Sequence, residues 1–162
     1  HCNLKDRENL TKNGVTHILA VHNNARPMLL YVGHGTASRS RKSQNLTKHF
    51  KESIKFIHEC RLRGGGCLIH CLAGVSRSTT ILVAYLMTVT DFSWEECLSA
   101  TKAVRSYVSP NFGFQQQLQE YQMTLRQNVS WVRELCSQLI AKWGEIGYCS
   151  HLTPKAVKTG IR

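Results

Sequence analysis

The chain has 162 residues, 42% of them hydrophobic, enough for one domain with a real core and short for two. A formal charge of +11 favours an anionic partner, whether phosphorylated protein, nucleic acid or an acidic membrane surface. Seven scattered cysteines with no Cys-x2-Cys pair argue against a disulfide framework and a structural zinc site, and fit reduced thiols in the cytoplasm or nucleus.

The sequence opens on His1 rather than Met, so it reads as a fragment, a processed form or an incomplete gene model. Lys5 to Asn13 reads as a short helix stopped near Gly14, and Val15 to Val21 as a buried strand, β-branched and almost continuously apolar. His17 and His22 fit strand packing better than metal ligation. Asn23 to Pro27 is a turn, and Met28 to Val32 is the next candidate strand. Gly33 to Lys42 is polar and rich in glycine and serine, hence loop. Between Asn45 and Leu62 the residues Leu46, Phe50, Ser53, Ile54 and Ile57 recur at helical spacing, with Lys48, Lys51, Lys55 and Glu59 outward. Gly64-Gly65-Gly66 turns the chain into a central strand, Cys67 to His70. Ser78 to Thr90 is apolar nearly all round, as a centrally buried helix would be, yet its run Ile81 to Val89 is far too short to span a membrane. Ser93-Trp94-Glu95-Glu96 is a capping box opening a helix to about Arg105. Tyr107 to Gly113 reads as loop. From Phe114, apolar residues spaced by threes and fours continue to Trp143, with a break expected near Asn128. Residues 1–143 are expected to form the domain and 144–162 a basic, loosely ordered tail.

The chemistry concentrates in His70-Cys71-Leu72-Ala73-Gly74-Val75-Ser76-Arg77-Ser78. Five residues between Cys71 and Arg77 let the backbone curl round one tetrahedral anion, its N–H groups inward and a helix N-terminus beneath. Leu72, Ala73, Gly74, Val75, Ser76 and Arg77 then bind phosphate, and Gly74 permits the bend. The same donors favour a thiolate at Cys71, the nucleophile. Arg77 holds two phosphoryl oxygens in a planar fork that lysine lacks. The Ser78 hydroxyl is placed to hydrogen-bond the sulfur as it leaves, and His70 to support the loop from behind. Cys67 and Cys71 are not expected to bridge: along a strand they stand roughly 13 Å apart, beyond the ~7 Å limit. No metal or cofactor is called for.

This loop resembles the signature of the cysteine-dependent dual-specificity protein phosphatases. The likeness extends through Val15 to His22, Ala25 to Leu29, Ser43 to Gly64, Met87 to Trp94 and Pro110 to Gln115, and looks like the small atypical JNK-stimulatory type. It covers roughly residues 3–29 and 43–122. The resemblance implies an α/β fold in a single domain, a central mixed β-sheet flanked by helices on both faces, with the N-terminal strand missing here and the site at the C-terminal end of Cys67–His70. It implies that Asn111 braces the signature loop. Close relatives carry a myristoylation signal ahead of the residues matching Asn3 to Asp6, so a lipid anchor is not predictable from these residues.

One departure stands out. In the resembled family a loop aspartate protonates the leaving group, and Ser40 occupies that position here, with no Asp or Glu between Glu8 and Glu52. General acid catalysis contributes typically ~10²–10⁴-fold, so turnover is expected to suffer, alkyl phosphates more than aryl. The leading expectation is a protein phosphatase acting on phosphotyrosine and phosphoserine/threonine of MAP-kinase-pathway phosphoproteins, in the cytoplasm or nucleus. The alternative is a catalytically weak phosphate-binding pseudophosphatase. A phosphoinositide or RNA 5′-phosphate substrate fits less well because the loop has no lysine, and nucleic-acid binding lacks any motif.

Overall fold

The computed structural model describes residues 7–21, 28–31 as backbone, 45–127, and Glu134 and Ser137. The expected loop at 33–42 with Ser40, the break near Asn128 and the tail from Gly144 lie outside the described residues. In chain order the elements are α1 (Arg7–Lys12), β1 (Val15–Ala20), β2 (Met28–Tyr31), α2 (Thr47–Leu62), β3 (Gly66–His70), α3 (Arg77–Val89), α4 (Trp94–Val104) and α5 (Phe112–Gln127).

The sheet runs β2-β1-β3, with β1 antiparallel to β2 and parallel to β3, so it is mixed as expected. Among the described residues Cys67–His70 (β3) pairs with β1, in parallel. β1 takes the middle. Val15 pairs with Gly66 but His17 with Cys67, so Thr16 is an extra residue on β1. The bulge reverses the pleat, bringing Val15 to the same face as Ile18 and Leu68, where Leu10 of α1 packs on them. Leu19, Val21, Cys67 and Ile69 join the main core instead.

That core is built by α2 to α5. α2 buries Phe50, Ser53, Ile54, Ile57 and Cys60 along one stripe, and Lys48, Lys51 and Lys55 stand outside. α3 is buried from Ser78 to Tyr85, with the Arg61 guanidinium donating to the Tyr85 hydroxyl at 3.1 Å. α4 opens on the expected capping box: Ser93 Oγ accepts from Glu96 N at 3.3 Å, and Glu96 Oε2 from Ser93 N at 2.8 Å.

α5 begins two residues before the sequence pattern suggests, because Asn111 caps it: Oδ1 accepts the Phe114 N–H at 2.9 Å. Phe114, Leu118 and Tyr121 point inward. Full burial of a leucine such as Leu118 contributes about 1.5–3 kcal/mol. Its polar face also carries weight. Gln117 Oε1 accepts the Leu46 N–H at the start of α2, and Gln122 Oε1 the Trp94 N–H at the start of α4, both at 2.8 Å. Each bond satisfies an N–H that the helix cannot serve itself.

Candidate active site

The parallel ladder continues past the end of β1, where Val21 N–H donates to the His70 carbonyl at 2.8 Å. That holds the strand end from which Cys71 emerges, only 6% exposed. Three residues on, Gly74 adopts φ +64°, a left-handed conformation that disfavours a Cβ. The turn brings its N–H to 3.2 Å from Cys71 Sγ. Ser78 in the first turn of α3 supplies its hydroxyl at 3.3 Å, and its backbone also bonds the sulfur.

The electrostatic balance follows from these contacts. Burial pushes the Cys71 thiol up. The Ser78 hydroxyl, the Ser78 and Gly74 N–H groups and the Arg77 charge pull it down by more, leaving it below its ordinary value. The thiol therefore ionises more readily than an ordinary cysteine.

Two of the loop's carbonyls are engaged elsewhere. Val75 C=O accepts Ser109 N–H and Thr79 Oγ1, each at 2.9 Å, and Ser76 C=O accepts the N–H and hydroxyl of Thr80 at the same distance. The first N–H groups of a helix such as α3 have no intrahelical carbonyl to serve, and that of Ser78 turns to the Cys71 sulfur.

The expected site residues fall out as follows. Cys71, Gly74 and Ser78 meet at the sulfur, and Arg77 opens α3 beside them, half-buried. Leu72 and Ala73 are exposed, Val75 and Ser76 half-buried, and His70 buried at the strand end. Asn111 reaches the loop through its main chain: its N–H donates to Ser76 Oγ at 3.1 Å while its carboxamide oxygen caps α5. Ser40 lies outside the described residues. The Ser76 hydroxyl and the Ser109 N–H were not anticipated as braces. A serine at the N-cap whose side chain makes no cap bond is the one local hint for Ser76, and a backbone N–H leaves no trace in sequence. Cys60, Cys67, Cys71 and Cys97 are buried free thiols. Among the described residues no group of three or more His, Cys, Asp or Glu is arranged to hold a metal ion.

A family model described as "Dual specificity phosphatase, catalytic domain" matches residues 2–124, spanning the strand, the loop and α3. The chain belongs to the dual specificity phosphatase family. It is similar to dual specificity protein phosphatase 22-A of Danio rerio, 62% identical over 138 residues, covering 81% of this chain and 65% of that protein. Dual specificity protein phosphatase 22 of Homo sapiens is 58% identical over 132 residues, covering 80% of this chain and 72% of the relative. The chain thus spans about two thirds of the length of these dual specificity phosphatases. The solved structure of DUSP15 superposes with a TM-score of 0.62 at 40% identity, covering 91% of this chain and 88% of that one. The α/β fold with a mixed sheet flanked by helices is the fold of this family. No helix among the described residues is long and apolar enough to cross a membrane.

Proposed function

We propose that this chain is a cysteine-dependent protein phosphatase that hydrolyses phosphotyrosine and phosphoserine/threonine through a phosphocysteine intermediate. The observation that carries the reading is the Cys71 sulfur, held by the Gly74 N–H at 3.2 Å and the Ser78 hydroxyl at 3.3 Å beside the Arg77 charge.

In the first step the thiolate attacks phosphorus, the S–P bond forms and the P–O bond to the substrate breaks, releasing an alkoxide or phenoxide that takes up a proton. Arg77 and the loop N–H groups carry the charge of the transferring phosphoryl group. In the second step water attacks phosphorus, phosphate departs, and the Ser78 hydroxyl bonds the returning thiolate. The first step lacks the aspartate that the family resemblance would put at Ser40. Phenoxide, the better leaving group, depends less on that acid, so phosphotyrosine is the faster substrate.

The family likeness further supports substrates among phosphoproteins of MAP kinase signalling and a site of action in the cytoplasm or nucleus. Residues 1–143 would make up the catalytic unit.

Stopped-flow turnover of an aryl phosphate tests the reading, with Cys71→Ser as the blank and Ser40→Asp alongside. A burst of phenol that disappears in Cys71→Ser is expected, and Ser40→Asp should raise alkyl phosphate turnover by ~10²-fold or more. Tight vanadate binding with no burst would replace the enzyme by a phosphate-recognition module.

A further inference from the structure

Two exposed aromatic side chains bracket the strip of chain that braces the phosphate loop. Residues 107–112 run alongside the loop, tied by Ser109 N–H to the Val75 carbonyl at 2.9 Å and by Asn111 N–H to Ser76 Oγ at 3.1 Å. At one end of the strip stands Tyr107, 58% exposed, and at the other Phe112, 74% exposed. Packing does not account for them. α5 turns Phe114, Leu118 and Tyr121 to the core and leaves Phe112 off that face.

The Tyr107 ring has a partner, and the backbone that carries Phe112 is fixed. The Arg105 guanidinium, itself buried, lies over the Tyr107 ring 4.5 Å from its centroid. Phe112 stands in a first turn fixed by the Asn111 cap and by Gln115 Nε2 donating to the Pro110 carbonyl at 2.9 Å. Large apolar groups held on a short, braced segment beside a reaction centre offer a contact surface with little ordering left to do on binding.

We propose that Phe112 and Tyr107 receive an aliphatic or aromatic side chain adjacent to the phosphorylated residue of a peptide substrate. This rests on the loop being the phosphate site. A peptide whose phosphoryl group sits over Cys71 must pass its neighbouring residues across the rim, and on the 107–112 side the rim presents rings. The net charge of +11 would by itself favour acidic neighbours, but the electron-rich face of a ring gives a carboxylate no partner. The apolar contact sets the local preference and the overall charge sets the approach.

The experiment is calorimetric titration of Cys71→Ser chain with phosphotyrosine peptides identical except for Leu or Asp at the residues flanking the phosphotyrosine, with phenyl phosphate as the probe of the loop alone. The Leu peptide should bind ~10-fold tighter than the Asp peptide. Phe112→Ser should reduce that ratio to within ~2-fold while phenyl phosphate binding stays put, Tyr107→Ser should reduce it in part, and Phe112→Leu should keep most of it. The kcat/KM ratio of the two peptides on chain retaining Cys71 gives an independent reading. A ratio that survives both serine substitutions, or a preference for the Asp peptide, overturns the inference. Loss of phenyl phosphate binding in the chain with native Phe112 and Tyr107 would instead overturn the phosphate-site reading on which it rests.

Discussion

The Ser76 hydroxyl and the Asn111 main-chain N–H, 35 residues apart in sequence, are joined at 3.1 Å. With the Ser109 bond to Val75, this joins the far side of the phosphate loop to the start of α5. Ser76→Ala removes the acceptor at a half-buried position that water can still reach, so the stability loss should be small, about 0.5–1 kcal/mol. The kinetic loss should be larger in proportion: kcat for an aryl phosphate should fall several-fold, because a loop free to shift holds its N–H groups less well over phosphate. Urea unfolding and turnover on the same protein compare the two, and an unchanged kcat would remove Ser76 from the positioning role.

Ionisation of Cys71 should be visible in the rate and in the stability. kcat/KM should rise with pH through an inflection below the ordinary thiol value, and Ser78→Ala, which takes away the largest influence lowering that value, should move the inflection upward. The folded state releases this proton at lower pH than the unfolded chain does. The associated stability is therefore complete above the unfolded-state thiol value and is lost as pH falls through the folded one. The stability difference between native chain and Cys71→Ser should accordingly widen with rising pH across that window. A flat difference would contradict the depressed thiol.

Arg77→Lys separates charge from shape. The lysine keeps a cation near Cys71, so the thiol inflection should move little. The planar fork is gone, however, and kcat should fall ~10²-fold. A variant with near-native turnover would show that only the charge matters.

Gly66 lies where β3 passes the Gly14 carbonyl, and a Cβ there would overlap that backbone oxygen. A peptide group cannot swing aside as a flexible side chain would, so Gly66→Ala should cost about 1–3 kcal/mol in urea unfolding. Gly113→Ala is the contrast. Its Cβ would sit 3.6 Å from Asn111 Oδ1, an ordinary contact, and alanine favours a helix, so α5 should gain up to about 1 kcal/mol.

What could be read from the sequence was what adjacent residues decide among themselves. The stripe of α2, the Ser93–Glu96 box and the cluster from Cys71 to Ser78 all lie within a few turns of chain, and the structure forms each from those same residues. Relations across the fold were not legible. The Thr16 bulge depends on β3 lying alongside β1. The pairing of β3 with β1 among the described residues depends on which strands are its neighbours in space. The early start of α5 comes from a cap on Asn111, a residue whose resemblance suggested only a brace for the loop. Gln117 and Gln122 looked like unremarkable polar positions, since the N–H groups they serve belong to other helices.

Those two glutamines bear on how the molecule is made. The Leu46–Gln117 bond spans 71 residues, so during synthesis the nucleophile and its loop emerge well before the helix that caps α2 and α4 and carries the loop's brace at its start. Contacts so distant in sequence form late, after the closure of the intervening chain. A nascent or truncated chain lacking 112–127 would keep the Ser109 and Asn111 donors but not the helix that fixes where they stand. The final seating of the loop's braces is thus tied to the docking of α5.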